Sequence, residues 1–198
     1  MEDNKLNLAV TLITKNPEYI PIMKDKYLSD DVIAMCLEDE PSLFRFIPNP
    51  SLRIIKLALQ LDGGNIKYIK KKIRKQLPPD YLVMAVDSNP REALPYVPKK
   101  YIPEGIKQHI FDTDPELLQE NDLDIASNSF LETRIEECPA VIKYITNPSE
   151  ELKCLALKKD PNVALYFDTL TPTMMDVIDE LYPGLRNSLP NYNRENQE

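Results

Sequence analysis

Few residues in this chain have the type and spacing that chemistry demands. His109 is the single histidine of 198 residues and stands beside Ile110 and Phe111. A nucleophile or general base needs a second group to orient it, and no such partner accompanies His109. A partly buried or helix-terminal histidine is the plainer expectation. Cys36, Cys138 and Cys154 are odd in number, widely spaced and without a CxxC pair. That pattern predicts free thiols in a reducing cytoplasm, with no disulfide framework, zinc site or other cofactor. Asp112-Thr113-Asp114 and Asp122-Leu123-Asp124 offer oxygen ligands, but an EF-hand needs a longer series with a central Gly and a terminal Glu. Paired carboxylates for glycoside chemistry turn up in any acidic chain and carry no specificity.

Two charge clusters say more. Lys67, Lys70, Lys71, Lys72, Arg74 and Lys75 surround Tyr68, Ile69 and Ile73. They read either as a solvated helix face or as a contact for nucleic acid or an acidic partner. Lys70, Lys71, Lys72 and Arg74 are the residues that would lie closest to DNA. The opposite field comprises Asp112, Asp114, Glu116, Glu120, Asp122, Asp124, Glu132, Glu136 and Glu137, relieved by Arg134. It is either a solubilising surface or a face that attracts a basic partner. The first six of these acids are the candidate partner-binding residues.

The elements that must position these clusters come from a repeat. A polar or capping residue followed by Pro recurs at Asn16-Pro17, Glu40-Pro41, Asn89-Pro90, Asp114-Pro115, Cys138-Pro139 and Asp160-Pro161. Gly63-Gly64 fills the missing slot, and Tyr182-Pro183 starts a degenerate last one. The spacing is roughly 22–26 residues, within the range of solenoid repeats. Eight, five and four positions before Pro17, Pro41, Gly63 and Pro90 lie apolar triplets: Ala9, Leu12 and Ile13; Ile33, Cys36 and Leu37; Ile55, Ala58 and Leu59; Leu82, Ala85 and Val86. That i, i+3, i+4 pattern is one buried helix face. Three and six positions after the marker come pairs such as Phe44 and Ile47 or Ile66 and Ile69, the edge of a second, shorter helix. Asn or Asp before Pro suits an N-cap followed by the first helical position. Further prolines, as in Pro48-Asn49-Pro50, hold the next link extended. The expected fold is all-α: an irregular α-solenoid of about 24-residue repeats, each an α-helix followed by a short or 3-10 helix. Residues 1–189 form one repeat domain and 190–198 a polar, disordered tail. The pattern falters where Asn121 and Arg134 replace apolar residues.

Composition narrows the function classes. A formal net charge of −8 disfavours nucleic acid as the main ligand, and four glycines leave little for phosphate-cradling loops. The polar start, MEDNK, is no signal peptide, and no apolar run reaches bilayer length. A cytoplasmic location and no membrane contact follow as expectations.

The stretch Val141–Phe167, VIKYITNPSEELKCLALKKDPNVALYF, resembles helical repeats of phage and bacterial proteins with an NPSEE start and an Asn/Asp-Pro corner. Variant leucine-rich repeats, with alternating α and 3-10 helices, share its length and punctuation. In length, acidity, Lys/Ile/Asn-rich usage and degenerate repeats the whole chain resembles staphylococcal myophage proteins that bind region 4 of the host's primary sigma factor. That resemblance implies a non-enzymatic protein, acting in the infected host on the RNA polymerase holoenzyme to inhibit or redirect its transcription. Region 4 is a helix-turn-helix domain with a basic DNA-reading surface, a natural match for an acidic solenoid. The lysine run would then lie near promoter DNA. Two other expectations stand beside it: an adaptor or anti-defence module with another partner, and a metal-using enzyme built on the acidic cluster.

Overall fold

A helix begins cheaply where a side-chain oxygen takes up one of its four unpaired N–H groups. Five of the 10-residue helices among the described residues start that way. Ser29, Ser51, Ser127, Ser149 and Thr171 accept from the N–H of Val32, Ile54, Phe130, Leu152 and Met174 at 3.2–3.4 Å. Each cap stands twelve positions before its corner marker, and the donor nine before it. That ninth position is a further core slot: Val32, Ile54, Leu152 and Met174 are all buried. The computed structural model describes residues 2–23, 28–185 and 189, with side chains of 8 and from 10 onward. The expected tail at 190–198 and the core slot at Ala9 lie outside the described residues and side chains respectively.

The chain is an all-α helical repeat, with no strand among the described residues. It divides into two compact units, 1–106 and 107–198. The first holds α1 (Glu2–Lys15), α2 (Asp30–Asp39), α3 (Leu52–Leu61), α4 (Lys71–Arg74), α5 (Pro79–Ser88) and α6 (Pro90–Ala93). Short 3-10 helices follow α1, α2 and α3 at Pro17–Ile22, Pro41–Phe46 and Gly63–Tyr68, and two more lie at Leu94–Tyr96 and Lys99–Tyr101. Helix α7 (Glu104–Thr113) carries the division in its first turn. The second unit continues with α8 (Pro115–Glu120), α9 (Asn128–Glu137), α10 (Glu150–Lys159) and α11 (Pro172–Leu181). Its 3-10 helices are Pro139–Tyr144 and Pro161–Tyr166.

The underlying period is shorter than the sequence spacing suggests. The long helices α2, α3, α5, α7, α9, α10 and α11 are each 10 residues. Pro41 to Gly63, Pro139 to Pro161, and Pro161 to Pro183 are 22 residues apart. The longer repeats gain their extra residues after the corner. Links 47–51, 145–149 and 167–171 are the short form, whereas 69–78, 97–103 and 121–127 are lengthened.

In the first unit, α1, α2, α3 and α5 stack in sequence, and the short helices stack beside them. Ile33, Cys36 and Leu37, then Ile55, Ala58 and Leu59, then Leu82, Ala85 and Val86 form the buried faces. The same slots in α1 behave differently. Ile13 is buried, but Leu12, expected in the core, is 47% exposed. Polar stitches join neighbours: Ser51 Oγ donates to Asp30 Oδ2 at 2.5 Å, and Asn89 Nδ2 to Asp62 Oδ1 at 2.9 Å. Asn65, 1% exposed, donates to the carbonyls of Pro41 and Ala58, both at 3.2 Å. Gly63 replaces the usual corner proline because α5 comes too close for a side chain: a Cβ there would stand 1.8 Å from the Ala85 carbonyl oxygen.

In the second unit α9, α10 and α11 stack, with α8 and the two 3-10 helices alongside. Phe111 and Phe130 meet edge to face at 5.9 Å. The sequence irregularity at Asn121 has an ordered cause. Helix α8 ends in a Schellman cap, with Asp122 N–H to Gln119 O at 3.0 Å, Leu123 N–H to Leu118 O at 2.9 Å, and Asp122 left-handed at φ 50. Leu123, two positions late, fills the core slot that Asn121 vacates. The corner residues are not all caps as the dipeptide pattern predicts. Glu40, Asp62, Asn89 and Asp160 accept from the following turn, while Asn16, Asp114 and Cys138 make no side-chain cap bond.

Candidate functional site

The acidic residues divide between stitching and display. Asp112, on α7, takes Arg134 of α9 in a forked pair, Nε to Oδ1 at 2.6 Å and an Nη nitrogen to Oδ2 at 2.8 Å. Arg134 also reaches Glu137 at 2.8 Å and lies over the Phe130 ring at 4.9 Å. Its side-chain hydrogen bonds, to Asp112 first and then Glu137, hold the guanidinium pKa above its ordinary value. Thus the position that breaks the apolar pattern is an ion-pair anchor between repeats. Asp114 occupies the corner before α8, and Glu116 stands 3.4 Å from the Tyr144 hydroxyl, which donates to it. Glu120 ends α8, Asp122 supplies the left-handed residue, and the Asp124 carbonyl receives Lys107 Nζ at 2.9 Å. Of these six, Asp112, Glu116, Asp122 and Asp124 therefore also make contacts within the unit, Asp124 through its backbone carbonyl.

A different set of acids lines a groove. A cavity of ≈ 480 Å³ lies across α9, α10 and the start of α11, bounded by Glu132, Glu136, Glu150, Glu151, Lys158 and Thr173 over Leu152, Cys154 and Leu155. Glu132 and Glu136 are one helical turn apart and share a face of α9. Glu150 and Glu151 sit in the first turn of α10, where the helix dipole favours negative charge. The Glu151 carboxylate is held below its usual range by its own backbone N–H, then by the Ser149 hydroxyl. Glu150 accepts from the Thr171 hydroxyl of the next repeat. Four carboxylates against one ammonium make the groove strongly negative. Glu150 and Glu151 escaped the sequence reading because they lie outside the acidic run. Their place in the first turn of the next repeat's helix, which stacks on α9, brings them beside Glu132 and Glu136.

The basic run resolves into three roles. Lys67 pairs with Glu92 at 2.9 Å, and that bond is the main reason its pKa is raised. Arg74 is turned to structure: its guanidinium lies 4.9 Å from the Tyr96 ring centre and donates to the Ile66 and Ile69 carbonyls at 3.4 and 3.5 Å. Lys70, Lys71 and Lys72 stay exposed. Beside them a cleft of ≈ 320 Å³ is lined by Lys71, Arg74, Lys75 and Lys100, by Tyr96 and Tyr101, and by Leu77, Leu82 and Pro98. All of it belongs to the unit 1–106.

His109 is exposed on α7, and its carbonyl accepts from Thr113 Oγ1 at 2.9 Å. All three cysteines are free, with Cys36 and Cys154 buried and Cys138 exposed. Burial, reinforced by Asp39, pushes the Cys36 thiol up to about 11. Burial, with Glu150 next, raises that of Cys154. No group of three or more His, Cys, Asp or Glu among the described residues is arranged to hold a metal ion. No described helix is long and apolar enough to cross a membrane. No family model, curated protein or solved structure matches this chain.

Proposed function

We propose that this chain is a non-enzymatic, cytoplasmic helical-repeat module that holds a basic protein partner against the acid-lined groove of α9, α10 and α11. The observation that carries this reading is the convergence of Glu132, Glu136, Glu150 and Glu151 from two successive repeats on one groove. Their backbones are fixed by side-chain caps at Ser127, Ser149 and Thr171, so the carboxylates are presented on rigid helices. Preorganised charge of one sign speeds encounter with an oppositely charged domain and discriminates against acidic ones. Glu116, Glu120 and Asp124 extend the negative field of the same unit.

The partner that the sequence resemblance implies is region 4 of a bacterial primary sigma factor within the RNA polymerase holoenzyme. On that reading the protein is phage-encoded and inhibits or redirects host transcription. Lys70, Lys71 and Lys72 would then stand near promoter DNA, while Arg74 is already engaged by Tyr96 and two carbonyls. A different basic partner would make the chain an adaptor or anti-defence module using the same groove.

Affinity purification from bacterial lysate tests the choice, with wild type beside the Glu132→Lys, Glu136→Lys double variant. The expected result is recovery of sigma factor with RNA polymerase by the wild type and loss of both by the variant. Polymerase recovered without sigma, or neither recovered, sinks the sigma reading.

A further inference from the structure

The lengthened links of the first unit converge on one place. Link 69–78 contains the one-turn helix α4, and link 97–103 contains the turn Lys99–Tyr101. In the short form, such links need five residues to carry the chain to the next cap. Ile69, Leu77, Val97 and Ile102 of these links are buried, the remaining link residues are exposed or half-buried, and in repeat proteins such insertions gather on a binding face. Residues 63–79 hold six cations and no carboxylate; residues 94–103 hold two cations and no carboxylate. Lys71, Arg74 and Lys75 from the first link meet Pro98, Lys100 and Tyr101 of the second around the ≈ 320 Å³ cleft. Its floor is apolar, with Leu77 and Leu82 buried. Tyr96 and Tyr101 are each half-buried, leaving ring surface at the cleft.

We propose that this cleft binds a nucleotide unit, with its phosphate on Lys71, Lys75 and Lys100 and its base against the tyrosine wall. Lys71, Lys75 and Lys100 are point charges able to meet a phosphate, while the cleft's one Arg is spent on Tyr96 and the Ile66 and Ile69 carbonyls. The feature that favours a nucleotide over an acidic peptide is the aromatic wall. Arg74 lies over the Tyr96 ring and Lys100 Nζ stands 4.8 Å from the Tyr101 ring centre, and aromatic rings beside cations are the arrangement by which proteins hold unpaired bases without reading their sequence. The volume fits one base and its sugar phosphate, at the small end of ligand pockets. The negative net charge of the chain does not oppose this, because no carboxylate lines the cleft. The site is independent of the partner proposed for the acidic groove.

The shared chemistry is that of a nucleotide, whether free or within a single strand, and the test separates these sources. Fluorescence anisotropy at about 50 mM salt would follow a labelled oligothymidylate of roughly 12 nucleotides, with uridine monophosphate and a polyglutamate peptide of equal length as competitors. The expected result is saturable binding, weakened about a hundredfold by the exposed-residue triple variant Lys71→Glu, Lys75→Glu, Lys100→Glu. Tyr101→Leu, which keeps every charge, should weaken it about fivefold or more. Displacement by uridine monophosphate near its own saturating concentration assigns the site to free nucleotides; displacement only by longer strands assigns it to single-stranded nucleic acid. Equal competition by polyglutamate, unchanged affinity in the triple variant or in Tyr101→Leu, or no binding by the wild type overturns the proposal.

Discussion

Replacing Gly63 by Ala adds one methyl group at the tightest backbone approach among the four glycines. The new Cβ would stand 1.8 Å from the Ala85 carbonyl oxygen, 2.7 Å from its carbon and 3.0 Å from its Cα. All three are backbone atoms of α5, so no side chain can swing aside. Relief requires moving α5 off the corner, which loosens Ala58, Leu59, Ala85 and Val86, all fully buried. It also strains the Gly63 N–H bond to Ser88 Oγ at 3.3 Å. Overpacking of a close-packed core costs about 1–3 kcal/mol, and a backbone clash belongs at the upper end, about 3 kcal/mol or more. That is a large share of the roughly 5–15 kcal/mol by which a domain is stable. Gly105→Ala supplies the opposite sign. Its Cβ meets nothing within 4 Å, so the helix propensity of Ala in α7 should stabilise by about 0.5 kcal/mol. Urea unfolding followed by circular dichroism measures both, and hydrogen exchange of 63–68 and 79–88 locates the change. Gly63→Ala within about 0.5 kcal/mol of wild type would refute the close corner.

Four further outcomes follow from the packing. Asn65→Ala leaves the Pro41 and Ala58 carbonyls without their side-chain donor and should cost about 1–3 kcal/mol by urea unfolding; a neutral result removes the buried stitch. Ser149→Ala deletes the cap on Leu152 N–H and should cost about 1 kcal/mol, read as a lower unfolding midpoint and faster exchange in the first turn of α10. Thiol titration of the native protein should label Cys138 quickly and the buried Cys36 slowly. The same thiol predicts alkaline sensitivity. Between its ordinary 9.0 and about 11 the unfolded chain loses the proton while the folded chain keeps it, so stability is intact below pH 9 and falls through that window. The loss is on the order of 2–3 kcal/mol, and Cys36→Ala should abolish that part of the pH dependence.

The helices and their corners were legible because apolar periodicity and Pro punctuation are local signals. Ile33, Cys36 and Leu37 lie in the core where the pattern puts them. Leu12 does not: a slot is buried only where another element covers it, and on α1 this one stays 47% exposed. The ninth-position core residues were missed because the Ser and Thr caps that define them stand in links crowded with prolines. Asn121 reads as a gap in sequence, yet a Schellman cap simply delays the core residue to Leu123. The charged sites were the least legible. Arg134 and Asp112 are 22 residues apart and look like surface charges until the repeats stack. Glu150 and Glu151 join Glu132 and Glu136 by the same stacking. The cleft of Lys71 and Lys100 depends on two links that fold toward one another, which no local period encodes.

Central to this account is that the groove of Glu132, Glu136, Glu150 and Glu151 receives a basic protein domain. Its most direct test is a titration of purified, labelled sigma region 4 with the full chain, at low and at near-physiological salt. Wild type should bind, more weakly as salt rises, and Glu132→Lys, Glu136→Lys should weaken binding about tenfold or more at low salt. No binding by the wild type, or equal affinity for wild type and variant at low salt, would contradict it.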